Sequence, residues 1–203
     1  FLHVRPIDTD ARYRLDIERG NLVAAAHRTR GEHAALCAIG ALAIYNARGP
    51  FQAGADLLDE VLHNNDFDAL TRCRLAYFRS LLSQRLGLLE SSEAAARESQ
   101  ELARQAGSAL FQHISANQIA VLALVRGDYA DAEARFRVLL EAPPERISGS
   151  EHLNLALVLL TTWRLDEAEA TLNEALAATR AEADRKQEGF ALGLLGNLHV
   201  RRG

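Results

Sequence analysis

The sequence predicts an all-α fold made of helical hairpins repeated along the chain. Three observations predict it. Hydrophobic residues make up 48% of the 203 residues but aromatics only 6%, so the core is built mainly from Ala, Leu, Val and Ile. Only 4 prolines interrupt the chain, and Ala and Leu are strong helix formers. A turn-like break also recurs at Gly49, Gly87, Gly127, Trp163 and Gly203. The intervals are 38, 40, 36 and 40 residues (87−49, 127−87, 163−127, 203−163), as expected of a repeat.

Each interval divides into two helices. Apolar-rich stretches at 33–47, 69–86, 112–126, 151–163 and 188–202 precede the breaks as first helices. Amphipathic second helices follow the first four breaks at 51–62, 90–105, 129–141 and 165–182. In the third unit Tyr129, Ala132, Phe136, Leu139 and Leu140 fall at i, i+3, i+7, i+10 and i+11, one face of a helix. The stretches HNNDFD, AGS, APPERISGS and AEADRKQ separate the units, with Asp66, Ser108 and Ser148 or Ser150 as expected N-caps. The predicted organisation is an N-terminal helical lead over 1–32, then repeats at 33–68, 69–107, 108–147, 148–186 and a partial one at 187–203. In the lead, DARYRLDIERGNLVAAAHRTRG reads as two short helices.

Several function classes are excluded by what the chain lacks. Net charge is −4, from 23 basic and 27 acidic residues, with no long run of one sign. That argues against a nucleic-acid surface. The 2 cysteines, Cys37 and Cys73, form no CxxC pair and sit in apolar helical surroundings, which fits a reducing cytoplasm. The longest uncharged apolar run, AALCAIGALAIY, is 12 residues, short of the roughly 20 that a membrane span needs. No signal-peptide pattern is present. Methionine is absent throughout, and Gly203 stops half-way through a fifth repeat, so the chain is expected to be a piece of something longer.

Catalytic chemistry is equally thin. The 7 histidines (His3, His27, His33, His63, His113, His152 and His199) form no ligand pair, so no metal is expected. Neither phosphate-cradling glycine loop occurs, and GLLG near the end reads as a helix-packing feature, so no cofactor is expected. No nucleophile, base and oxyanion set can be assembled, and the chain is not read as an enzyme.

The third unit carries a resemblance. GDYADAEARFRVLLEAPP, with Gly127, Ala132 four before Phe136, and Pro144, resembles a tetratricopeptide (TPR) repeat. LDEAEATLNEAL repeats its second half through Ala168, Leu172 and Ala175. LLGNLH supplies Leu195 and Gly196, with His199 where Tyr is usual, and Tyr45 takes that aromatic place in the first unit. A small residue lets the second helix approach the first, and an aromatic fills the groove between units. The second unit departs furthest, with Ser80, Ser92 and Ala96 where Gly, Ala and Phe are expected. The resemblance covers about residues 33–203. LDIERGNLVAAAHR also resembles the segment leading into the TPR region of large bacterial signalling and transcriptional regulators; a plain capping helix pair explains it as well.

The resemblance implies a right-handed superhelix whose first helices line a concave binding surface. The side chains placed there are Asn46, Arg74, Tyr77, Gln84, Arg85, Asn117, Asn154, Asn197 and Arg201. Asn117, Asn154 and Asn197 occur once per unit, at 10, 9 and 6 residues before their breaks (127−117, 163−154, 203−197). An amide both donates and accepts, so such residues could hold an extended peptide backbone. LLGNLH is similar to the Leu-Gly-Asn repeats of adaptors that use asparagine this way. Arg74, Arg85 and Arg201 could pair with ligand carboxylates, while Val121, Leu124 and Val125 leave part of the face apolar. The implied function is non-enzymatic protein or peptide binding, as the sensor or scaffold part of a larger bacterial regulator. Alternatives are effector sensing, as in the TPR-like region of maltose-type transcription activators, and self-association through the unpaired helix at 188–202.

Overall fold

The computed structural model describes residues 9–142 and 149–203. They form α1 (Thr9–Arg28), α2 (Gly31–Arg48), α3 (Phe51–His63), α4 (Ala69–Arg85), α5 (Leu89–Gln105), α6 (Ala109–Arg126), α7 (Tyr129–Leu140), α8 (Gly149–Thr161), α9 (Leu165–Ala181) and α10 (Arg185–Arg202). No strand occurs among the described residues, and the fold class is all-α, as predicted. The chain divides within α6 into two compact units, one running to Ile119 and the other spanning Ala120–Gly203.

One turn recurs through both units. Gly87, Gly107, Gly127, Trp163 and Ala183 are left-handed, with φ of 78°, 64°, 82°, 60° and 56°. At each, the turn residue's N–H donates to the carbonyl three residues back and the next N–H donates to the carbonyl five residues back. Gly87 and Leu88 bond Gln84 and Ser83 at 3.1 and 2.8 Å, and Ala183 and Asp184 bond Arg180 and Thr179 at 3.1 and 2.9 Å. This double closure satisfies helix-end carbonyls and demands one positive φ. The spacing is regular: 107−87 and 127−107 both give 20, as do 183−163 and 203−183. The structural stride is therefore 20 residues, half the interval visible in the sequence. It was hidden because Gly107 reads as part of the AGS connection between units and Ala183 holds the turn without glycine.

A left-handed Cβ costs roughly 1 kcal/mol or more. Ala183→Gly is therefore expected to stabilise the protein by about 0.5–1 kcal/mol, read as a raised urea midpoint with unchanged slope.

Helix starts differ from the sequence reading by a few residues. α6, α8 and α10 begin at 109, 149 and 185 rather than 112, 151 and 188. For α10 the reason is Asp184, whose Oδ1 accepts the N–H groups of both Lys186 and Gln187 at 3.1 Å. Asp68, not Asp66, caps α4, accepting from the Thr71 N–H at 2.7 Å; that bond holds its carboxyl below the usual range. Ser108 accepts from the Phe111 N–H at 3.4 Å, as expected of a cap, whereas Ser150 lies inside α8. Residues 9–28 form one helix rather than two. His3, Pro144 and Ser148 fall outside the described residues.

The second helices share a packing register. Five residues after each turn stand Gly54, Ser92, Ala132 and Ala168, and nine after stand Leu58, Ala96, Phe136 and Leu172; all are buried. At Gly54 an added Cβ would meet the Tyr45 Cβ at 2.9 Å and the Leu82 methyls at 3.2 Å, so only glycine fits. In α4–α5 the departures from the repeat compensate one another. The Ser92 hydroxyl donates to the Ser80 carbonyl at 2.7 Å, and the Ser99 hydroxyl donates to the Cys73 carbonyl at 3.0 Å, with Ser115 Oγ 2.8 Å away. Small side chains bring the helices close enough for these bonds, which satisfy hydroxyls that would otherwise be stranded. Burial also pushes the Cys73 thiol up. By contrast, Gly193 and Gly196 of the GLLG stretch are exposed and a Cβ at either would meet nothing, so their expected packing role is not seen among the described residues.

Glu182 Oε1 accepts from the Gly149 N–H at 3.0 Å, tying the start of α8 to the end of α9. Burial pushes this carboxyl up, and Glu151 and Asp184 push in the same direction. A carboxyl with a raised folded-state pKa binds protons better folded than unfolded, so its contribution falls as pH rises through that value and improves on acidification. Glu182→Gln keeps an acceptor and removes the titration. Wild type should gain stability relative to this variant between pH 7 and pH 4, measured as the difference in Tm.

Candidate functional site

The first helices present three stripes, set by 3.6 residues per turn. In α4 the stripe Cys73, Ala76, Ser80 and Ser83 is buried, with Ser80 and Cys73 bonded to α5. A second stripe, Leu75 and Leu82, enters the core shared with α2 and α3. The third, Arg74, Tyr77, Leu81 and Gln84, lies one residue round from the first, about 100°, and is only half-buried. Counting back from the turn residue gives the same positions on the neighbours. Asn46 of α2 matches Gln84 (49−46 and 87−84), and Asn117 of α6 matches Tyr77 (127−117 and 87−77).

This flank holds unsatisfied polar atoms. Among the described residues, Asn46 Oδ1, Arg74 Nε and Asn117 Oδ1 are buried without a hydrogen-bond partner; the remaining such atom is Gln187 Oε1, at the start of α10. Gln84 accepts from Gln118 Nε2 at 2.9 Å, joining α4 to α6. The Arg74 guanidinium lies 5.5 Å from the Phe111 ring centroid, a cation–π geometry. Tyr77 stands edge-on to Phe78 at 5.9 Å. Arg85 is exposed at the end of α4. Asn46, Arg74, Tyr77, Gln84, Arg85 and Asn117 thus belong to one compact unit.

The other three positions lie in the second unit. Asn154 is half-buried on α8 and Asn197 is exposed on α10. Arg201 does not hold a free cation: Nη1 donates to the Leu160 carbonyl at 2.6 Å and the guanidinium lies 5.0 Å from the Trp163 ring centroid. Its expected pairing with a ligand carboxylate is replaced by a bond that ties α10 to the end of α8. Phe111 and Gln118 were missed in the sequence. Gln118 directly follows Asn117, a signal that was available; Phe111 lies 37 residues from Arg74 (111−74) and meets it only through helix packing.

A pocket of about 280 Å³ lies elsewhere in the first unit, where Leu62 near the end of α3, Asp66 and Phe67 of the α3–α4 connection, Arg72 and Arg79 of α4 and Glu98 of α5 converge. None of the nine sequence-derived residues lines it. Among the described residues no helix is long and apolar enough to cross a membrane, and no His, Cys, Asp and Glu group could hold a metal ion.

Helices, turns and this flank define an all-α protein of repeated helical hairpins. No protein-family model and no curated protein matches the chain. Among solved structures, the crystal structure of BtubC (BKLC) from P. vanneervenii is similar at a TM-score of 0.61 and 14% identity, covering 96% of this chain and 93% of that one. At that identity the likeness is one of fold.

Proposed function

We propose that the chain is a protein- or peptide-binding module of TPR type that holds an extended peptide on the α2–α4–α6 flank. The supporting observation is the set of buried, unpartnered atoms at Asn46, Arg74 and Asn117. A buried polar group left unpaired costs about 1–3 kcal/mol, so the side-chain carbonyl oxygens of Asn46 and Asn117, on separate helices of one flank, suit the N–H groups of an incoming backbone. The face is half-open and mixes amides with Tyr77 and Leu81, as a peptide groove does. Non-enzymatic binding in the cytoplasm, as part of a larger bacterial regulator, is the setting this reading proposes.

The test is binding of a fluorescent peptide library to the purified protein and to the Asn46→Ala, Asn117→Ala double variant. Loss of about tenfold or more in affinity is expected for two backbone-directed bonds. Equal affinity of both proteins for the bound peptides would remove the amides from the site.

A further inference from the structure

We infer that the pocket of the first unit is a second binding site, and that it takes a small zwitterion: a free α-amino acid with an apolar side chain. The inference is independent of the peptide reading, because the pocket lies on another side of α4. Arg72 stands two residues before Arg74, about 200° round the helix. Ala76 follows Arg72 by four residues and Arg79 follows it by seven, so these three form one stripe lining the cavity.

Three charged side chains at this pocket are uncommitted. Asp66 is free of the capping role its position suggests, because Asp68 accepts the Thr71 N–H instead. Asp66, Arg72 and Glu98 are all exposed, and none of the three forms a side-chain hydrogen bond or an ion pair with a described residue. The other polar groups of the lining are engaged. Arg79 donates to Asp59 at 3.0 Å, which balances its charge. The Asn65 amide accepts the Gly31 N–H at 2.8 Å and donates to the Val61 carbonyl at 2.9 Å. Half-buried Leu62 and Phe67 and buried Ala76 supply an apolar wall.

The mixed signs select the ligand. A simple anion on Arg72 would sit beside two carboxylates, and a simple cation on Asp66 and Glu98 would sit beside two guanidinium groups. A molecule carrying both charges meets an opposite charge at each end. Its carboxylate takes parallel N–H bonds from the Arg72 fork, its ammonium donates to Asp66 and Glu98, and its side chain covers Leu62 and Phe67. A cavity of about 280 Å³ falls just below the roughly 300–1,000 Å³ of drug-sized sites and suits a molecule this small.

The probes are L-leucine and L-phenylalanine, the amine left when each loses its carboxylate, and the acid left when each loses its amino group. Binding to the purified protein is followed by isothermal titration calorimetry. At least one amino acid should bind about tenfold more tightly than both its amine and its acid. Arg72→Gln should bring the amino acid down to the affinity of its amine, and Glu98→Gln should narrow its lead over the acid. Both positions are exposed, so circular dichroism of both variants should match wild type. The Asn46→Ala, Asn117→Ala variant should bind the amino acid as wild type does, which separates this site from the peptide flank. An amine or acid that binds as tightly as its amino acid would overturn the zwitterion. Unchanged affinity in both Arg72→Gln and Glu98→Gln, or binding of neither amino acid, would overturn the site.

Discussion

Replacing Ala132 with arginine should destabilise the Ala120–Gly203 unit by about 4 kcal/mol. Ala132 is completely buried, five residues after the Gly127 turn, at the position filled by Gly54, Ser92 and Ala168 in the other hairpins. Every occupant is small, and at Gly54 even a methyl group is excluded. An arginine there must either force the helices apart or bury a cation without a partner. Domains of this size are stable by only about 5–15 kcal/mol, so the change approaches the limit of foldability. The urea midpoint of this unit should fall steeply. An unchanged Tm would show that the register of the second helices is wrong.

Phe136→Ala is the second large effect, expected at about 3–5 kcal/mol. Phe136 is the largest fully buried side chain among the described residues, and its loss leaves a cavity that rigid helices close only in part. The corresponding residue of α5 is Ala96, also completely buried. There the volume is removed by helix approach, and the buried hydroxyls of Ser80, Ser92, Ser99 and Ser115 lie 2.8 to 3.1 Å apart in pairs. The two hairpins therefore answer one packing position differently, and Phe136→Ala lacks the hydroxyl bonds that make the small residue tolerable in α5. A loss below about 1 kcal/mol, read from the denaturant midpoint, would mean that the unit repacks around the gap.

The helical architecture was legible because its signals are local. Glycine marks a left-handed turn through its own φ, and the apolar stripe of α7 is set by positions on one helix. The 20-residue stride escaped because Ala183 carries the turn against its own preference. Ser80 and Ser92 read as departures from a repeat, and Ser99 and Ser115 carried no signal, since sequence does not show that hydroxyls 12 or 16 residues apart lie within bonding distance. The site was legible as a set of residue types on first helices. What each cation does was not: Arg74 and Arg201 look alike in sequence, yet one stacks on Phe111 with Nε unpaired and the other is bonded to the Leu160 carbonyl.

The equal stride of the turns acts as a ruler on the length of the chain. Each added residue rotates everything beyond it on a helix by about 100°, enough to replace the stripe facing a neighbour with the one facing solvent. Between Gly87 and Gly127, and between Trp163 and Gly203, two strides add to 40 residues without remainder. From Gly49 to Gly87 and from Gly127 to Trp163 the intervals are 38 and 36. Insertions and deletions are thus expected to be tolerated best in those two intervals, outside the regular strides. Elsewhere a single inserted codon shifts the phase of a whole hairpin.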